Sequence, residues 1–194
     1  MNAMNLWPLV IVAAASVLAV PLAFWLRGTD GPRQAILAAD RAATGLATLL
    51  ACLALAIAVL AGFWQVIARF ATETPSIWSE ALVRTALIWM GFLGLAAAIR
   101  TGALVSIDVL HRHSRGALRD AVEGAALASV LALMGILFWF GWIMSERVKF
   151  QEMAGLEVSM SWGYAALPIG AAFCLLGALA HFLDRRAEEL EMAV

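Results

Sequence analysis

Two charged residues, Glu80 and Arg84, stand at the start of an apolar segment, where their side chains can pair with each other or with a polar partner. They are four residues apart, so in a helix they lie on one face. The fifteen uncharged residues from Thr85 to Ile99 rise about 22 Å in a helix, less than a hydrocarbon core of about 30 Å. A helix that crosses this core must begin near Glu80, which places the pair at or just inside a membrane boundary, beside Trp78.

The energy of this pair leaves two interpretations open. An exposed pair at this spacing contributes only about 0.2–0.5 kcal/mol, whereas an ionised side chain at mid-bilayer costs about 2.5–3.5 kcal/mol. The intrahelical pair alone does not offset deep burial. Either the pair lies in the headgroup layer, or it contacts polar groups of a partner.

Other reactive side chains are poorly placed for catalysis. Haem ligation in a bundle needs histidines that face each other, whereas His111 and His113 fall in a loop and His181 stands alone near a helix end. A thiol oxidase needs paired cysteines in an extracytoplasmic loop, but Cys52 and Cys174 both fall in apolar runs, where we expect small packing residues. We predict no catalytic residue, no cofactor and no metal site.

The composition predicts an integral membrane protein without a nucleic-acid partner. Hydrophobic residues make up 63% of the 194 residues and charged residues only 14%, and the mean hydropathy is +0.88. Five windows are long and apolar enough to cross a membrane, and each must be helical because an open strand cannot satisfy its backbone in lipid. These windows are roughly 6–26, 42–68, 78–99, 122–145 and 160–183.

The first window resembles a signal peptide only superficially, since no Lys or Arg precedes it and its apolar stretch is too long. We interpret it as a retained span. The linker 27–41, with Gly28, Gly31 and Pro32, predicts a turn-rich break after it. Pro168, in the fifth window, is expected to be a tolerated kink.

The basic residues predict the orientation. Nine of the thirteen Lys and Arg residues fall on one side of the five windows. These nine are Arg27, Arg33, Arg41, Arg100, Arg112, Arg115, Arg119, Arg185 and Arg186. The positive-inside rule then places the loop 100–120 and the C-terminus in the cytoplasm and the N-terminus outside.

The sequence lacks evident features of secondary transporters. These features are polar groups near mid-membrane, internal repeats and discontinuous helices. Rows of small residues at helical spacing instead suggest close helix contacts, either within the subunit or with a partner. These rows are Gly91, Gly94 and Ala98; Gly124 and Ala128; and Ala166, Gly170 and Cys174.

Five blocks in register resemble the small membrane subunit, of DctQ type, of tripartite ATP-independent periplasmic (TRAP) transporters. The blocks are FWQVIARF at 63–70, Trp78-Ser79-Glu80 with Arg84, IWMGFLG at 88–94, Arg100 and Gly102 with IDVL at 107–110, and YAALPIG at 164–170. The resemblance covers about residues 36–186. It implies a four-helix subunit of the bacterial inner membrane that holds a large, many-spanning permease, which carries substrate and sodium after a soluble periplasmic protein delivers an organic acid.

The resemblance also implies a set of candidate residues for the partner-subunit interface: Gln65, Arg69, Trp78, Glu80, Arg84, Trp89, Gly91, Gly94, Arg100 and Asp108. The chain departs from the family pattern at Ala81, where a second acid is common, and at Leu104 and Ser106, where a histidine and an arginine are common. Fewer polar contacts are therefore expected in the cytoplasmic loop.

We therefore predict an all-α integral membrane protein with a four-helix core bundle and an extra N-terminal transmembrane helix. The expected division is 1–35 for that helix and its linker, 36–186 for the small-permease domain and 187–194 for a cytoplasmic tail. The expected partners are the large TRAP permease, the periplasmic binding protein and membrane lipids. A stand-alone lipid-modifying or redox enzyme of the membrane is the alternative.

Overall fold

A computed structural model describes residues 7–26, 30–71, 76–101 and 117–192. The elements in these ranges are helical, and five of the helices are long and apolar enough to cross a membrane, which confirms the all-α membrane fold. In chain order they are α1 (Trp7–Leu26), α2 (Asp30–Ala71), α3 (Ile77–Arg100), α4 (Ala117–Arg147), the single turn α5 (Ser161–Tyr164) and α6 (Ala166–Met192). Gly28, Asp108, His111 and His113 lie outside the described residues.

Helix α2 is much longer than the window that predicted it. Its 42 residues rise about 63 Å, roughly twice the hydrocarbon thickness. The turn-rich break predicted for 27–41 is therefore wrong from Asp30 onward. Pro32 is tolerated because it lies in the first turn, where backbone N–H groups have no intrahelical acceptor. Burial of Leu37 and Asp40 adds tertiary contacts that the local sequence does not reveal.

The fifth window is divided near its start, and Pro168 explains the division. Proline has no N–H to donate to the carbonyl four residues earlier, which here belongs to Tyr164. Helix α5 ends at Tyr164 and α6 begins at Ala166. Beyond this break α6 continues to Met192.

Helix α6 lies in the middle of the bundle. In its membrane-crossing span 56% of the most apolar window is buried, against 11% to 22% in the other four spans. It packs between α3 and α4, while α2 lies on the outer side of α3 and α1 on the outer side of α4. The main core cluster joins α1, α3, α4 and α6 through Ala23, Ala96, Ile99, Leu127, Leu131, Met134, Cys174, Ala178 and Phe182.

Small residues on α6 allow the close approach of α3. A Cβ added at Gly170 would lie 2.5 Å from Phe92 Cβ, and one at Gly177 would lie 3.3 Å from the Ala96 carbonyl oxygen. Ala166 and Cys174, in the same row as Gly170, are fully buried. The row on α6 therefore packs within the subunit. The prediction that cysteines serve as packing residues is confirmed for Cys174, whereas Cys52 is exposed.

Helix α1 is held against α4 by two glycines. A Cβ at Gly135 would lie 2.7 Å from Val12 Cγ1, and one at Gly124 would lie 3.2 Å from Val20 Cγ1. At the far end of α1, the rings of Phe24 and Phe182 pack edge to face with centroids 5.2 Å apart. Helix α1, which the four-helix family pattern does not include, is thus packed against α4 and α6.

Candidate functional site

Glu80 and Arg84 lie on one face of α3 and form an ion pair, as their spacing predicted. The pair is not enclosed by the subunit, since the side chain of Arg84 is 75% exposed and that of Glu80 51% exposed. Two charged groups therefore face outward near the first turns of a membrane-crossing helix, where they are available to headgroups or to a partner.

The segment between α4 and α6 shapes the surroundings of this pair. Residues 148–160 fold back on themselves: Met153 N–H donates to the Val158 carbonyl at 2.8 Å, and Met160 N–H donates to that of Gln151 at 2.7 Å. Gly155, with φ of +83°, is so close to α3 that a Cβ there would lie 2.8 Å from the Trp78 nitrogen. Glycine at this position allows the segment to cover the start of α3.

A cleft of about 490 Å³ lies between α3 and this segment. One wall carries Glu80, Arg84 and Thr85, and the other consists mainly of apolar side chains of the 148–160 segment and α6. The Thr85 hydroxyl lies 2.9 Å from the Ala81 carbonyl oxygen and 3.3 Å from Met153 Sδ. The cleft is thus mostly apolar with an ion pair at its wall, and its geometry fits contact with another molecule better than catalysis.

The middle of α3 places three predicted interface residues in different environments. Trp89 donates a hydrogen bond from Nε1 to the Trp162 carbonyl oxygen at 3.0 Å, so its polar atom is used within the subunit. Gly91 is exposed and Gly94 is half-buried. A Cβ added at Gly91 or at Gly94 would meet no heavy atom of the described neighbouring elements within 4 Å. In the described part of the subunit, these two glycines therefore have free space above their backbone.

The remaining candidates spread over the two ends of the bundle. Gln65 and Arg69 lie in the last turns of α2, half-buried and exposed respectively, and Trp78 is 41% exposed near the start of α3. A Cβ at Gly62 would lie 3.9 Å from Val83, so the end of α2 adjoins the beginning of α3. Glu80 and Arg84 are the candidates that the structure pairs directly.

Arg100 occupies a polar cluster at the opposite end of α3. Its Nε donates to Asp40 Oδ2 at 2.5 Å and its Nη2 to Asp184 Oδ2 at 2.6 Å. Thr44 adds a hydrogen bond to Asp40 at 3.2 Å, and His181 Nδ1 lies 3.2 Å from the Arg100 carbonyl oxygen. The cluster links α2, α3 and α6 around one guanidinium.

The family pattern predicted Arg100 at the partner interface and did not indicate Asp40 or Asp184. Both aspartates carry a signal that was available, because each lies at the end of an apolar window on the same side as Arg100. Opposite charges at neighbouring helix ends are natural partners. Within the described part of the chain, no group of three or more potential metal ligands occurs.

The comparison with known families decides the identity of this bundle. Residues 58–188 match the family model described as tripartite ATP-independent periplasmic transporters, DctQ component. The chain belongs to this family. DctQ proteins are transporter components and not enzymes, which removes the stand-alone enzyme alternative and confirms the resemblance carried by the five sequence blocks. With its five apolar helices, this DctQ protein is a multi-pass protein of the inner membrane.

Two relatives carry names of the same transport system. The chain is 33% identical over 114 residues to the sialic acid TRAP transporter small permease protein SiaQ of Vibrio cholerae. The aligned region covers 57% of this chain and 64% of that protein. It is 28% identical over 105 residues to the sialic acid TRAP transporter permease protein SiaT of Haemophilus influenzae, covering 54% of this chain and 17% of that protein. The chain thus spans less than two thirds of the length of either relative.

The DctQ match begins within α2, so it leaves out α1 and the first two thirds of α2. Arg100 and Asp184 fall inside the matched residues, whereas Asp40 falls outside them. The polar cluster of this DctQ protein therefore combines two residues from the family region with one from the N-terminal part of the chain.

Proposed function

We propose that this DctQ protein is the small membrane subunit of a TRAP transporter, which pairs with a large multi-span permease and a periplasmic substrate-binding protein. Its role is that of a scaffold in the sodium-coupled uptake of an organic acid. The observation that carries the proposal is the family match over residues 58–188. The Haemophilus relative supports the pairing, because there the similar region makes up only 17% of a longer permease chain.

The placement of charge supports a scaffold rather than a complete transporter. In the described residues, the Asp40, Arg100 and Asp184 cluster lies at one end of the bundle and the Glu80–Arg84 pair lies toward the other. Sites for substrate and coupling ions in secondary transporters lie near the bilayer midplane, on discontinuous helices. We therefore assign substrate and sodium binding to the large permease.

The orientation follows from the distribution of arginines. We propose that the Arg100 end of the bundle and the C-terminus lie in the cytoplasm, and that the N-terminus and the 148–160 segment lie in the periplasm. The division into 1–35, 36–186 and 187–194 also remains a proposal, although α2 is continuous through residue 36. An impermeant maleimide should label Glu152→Cys but not Arg41→Cys in intact cells, and the reverse pattern would overturn this topology.

Purification tests the pairing directly. The chain is tagged at its C-terminus, native membranes are solubilised in a mild detergent, and the recovered proteins are identified by mass spectrometry. A large multi-span permease in near-equal amount is the expected result. Recovery of this chain alone, folded and stable, would contradict the proposal.

Reconstitution tests the transport reaction. Proteoliposomes containing this chain and its permease are supplied with the binding protein, a sodium gradient and sialic acid, the solute in the names of both relatives. Other carboxylates are then tested in the same way. We expect uptake of an organic acid that stops when the gradient or either membrane subunit is omitted. Undiminished uptake without sodium would refute the coupling, and undiminished uptake without this chain would refute the scaffold role.

A further inference from the structure

One face of α3 is left uncovered by the rest of the described subunit. It extends over the first four turns of the helix through Ile77, Glu80, Arg84, Leu87 and Gly91, which recur at intervals of three or four residues. Ile77 is 61% exposed and Leu87 43% exposed, in addition to the exposed ion pair. We call these five residues the open face of α3.

The neighbouring elements bound the open face on both sides. On one side Val83 adjoins Gly62 of α2, and on the other Phe92 packs against Gly170 of α6. The open face therefore lies between α2 and α6, and its first residues form one wall of the cleft beside the 148–160 segment. On the far side of the bundle, α1 already covers α4 at Gly124 and Gly135.

The position of the charges argues against a face that simply contacts lipid tails. The 24 residues of α3 rise about 36 Å, so a centred helix extends about 3 Å beyond each side of a 30 Å hydrocarbon core. Glu80 Cα then lies about 1.5 Å inside the core and Arg84 Cα about 7.5 Å inside. Even with its guanidinium drawn back toward Glu80, this exposed pair is best accommodated by polar groups of an adjoining protein.

Below the charges, the open face is suited to close helix contact. Added Cβ atoms at Gly91 and at Gly94, which lies beside the open face one turn further on, meet no heavy atom of the described neighbouring elements within 4 Å, whereas one at Gly170 would clash with Phe92. Glycines with free space above them let another transmembrane helix approach its neighbour's backbone. Glu80 and Arg84 at one end of this surface give the contact its orientation.

We propose that the large permease docks on the open face of α3, with polar side chains against Glu80 and Arg84 and a helix against Gly91 and Gly94. The proposal rests on the proposed function and specifies which surface serves it. The choice of occupant follows from the Haemophilus relative, in which a region similar to this chain is joined to the rest of a permease. Helix α1 lies outside the family match and on the other side of the bundle, so it leaves this face free.

Photo-crosslinking from single sites tests the location. A benzophenone amino acid is placed at Leu87 on the open face, or at Leu18, which is 70% exposed on α1, and the full chain is produced together with its permease. Permease recovered before irradiation shows that the complex has formed. After irradiation we expect an adduct with the permease from Leu87 and none from Leu18.

The other outcomes separate the two proposals. If the permease co-purifies but crosslinks from Leu18 and not from Leu87, the docking face is wrong and the proposed function stands. The same holds if Leu87 crosslinks only to a second copy of this chain or only to lipid. If no permease co-purifies with any variant, the proposed function fails and the docking face fails with it.

A matched pair of glycine variants provides a second test. Gly91→Leu fills the open face, and Gly45→Leu makes the same change at an exposed position on α2 where an added Cβ also has free space. We expect Gly91→Leu to lower the permease recovered by about tenfold through overpacking of the contact, and Gly45→Leu to leave it unchanged. Both variants of this chain should unfold at the wild-type temperature when they are purified without the permease. Equal recovery with the two variants would overturn the proposal.

Discussion

Asp40 and Arg100, sixty residues apart, form an ion pair of 2.5 Å that joins the first half of α2 to the end of α3. The carboxylate is almost completely buried, with 1% of the side chain exposed, whereas Arg100 remains 20% exposed. Asp184 contacts the same guanidinium from α6. A single arginine thus fixes the relative position of three helices at this end of the bundle.

Removing the guanidinium should destabilise the subunit strongly. Arg100→Leu leaves the buried Asp40 carboxylate without its cation, which costs about 3–5 kcal/mol. Asp40→Asn keeps the shape and leaves Arg100 paired with Asp184, so the expected loss is smaller, about 1–3 kcal/mol. Thermal unfolding of the purified subunit in detergent measures both. Arg84→Leu, at a 75% exposed side chain, is the control and should unfold close to wild type; equal stability of Arg100→Leu would contradict the assigned role.

The Arg100 cluster illustrates what could be predicted from the sequence. The helix carrying Arg100 and the membrane boundary near it followed from hydropathy and spacing. Its partners did not, because Asp40 was assigned to a linker on account of Gly31 and Pro32. The packing of Leu37 and Asp40 against the bundle supports a helix in that segment, and such contacts across sixty residues are absent from any local pattern.

The contact of Gly170 with Phe92 gives a second prediction. Gly170→Ala places a methyl group 2.5 Å from Phe92 Cβ and 3.3 Å from its carbonyl carbon, so α3 and α6 must move apart. We expect a loss of about 1–3 kcal/mol in the stability of the purified subunit. Gly94→Ala is the matched control, because its methyl group enters free space and alanine favours the helix. An unfolding temperature for Gly170→Ala as high as that of Gly94→Ala would argue against this close approach.

Rows of small residues looked alike in the sequence and differ in the structure. The row on α6 is buried against α3, whereas Gly91 and Gly94 on α3 face free space. Spacing establishes that such residues share a helix face, but not what covers it. What covers a helix face depends on how each helix is rotated about its own axis in the bundle. This rotation follows from all the tertiary contacts together.

The packing of α1 against α4 gives a third prediction. Gly135→Leu places its Cβ 2.7 Å from Val12 Cγ1 and should displace α1, lowering the stability of the full chain by about 1–3 kcal/mol. In a chain that lacks residues 1–26 the clashing side chain is gone, so the same substitution should have little effect. Unfolding of the four proteins forms a double-mutant cycle. Equal destabilisation in both backgrounds would show that Gly135 does not act through α1.

The Glu80–Arg84 pair gives a fourth prediction, which concerns assembly. Glu80→Arg or Arg84→Glu places two like charges four residues apart at the open face of α3, where we propose that polar groups of the permease match the original charges. We expect each single variant to lower both permease recovery and uptake by about tenfold, through lost charge complementarity. The double variant restores the intrahelical pair with its polarity reversed. It should regain the stability of the isolated subunit and remain defective in assembly; full recovery of uptake in the double variant would show that the pair acts only within its own helix.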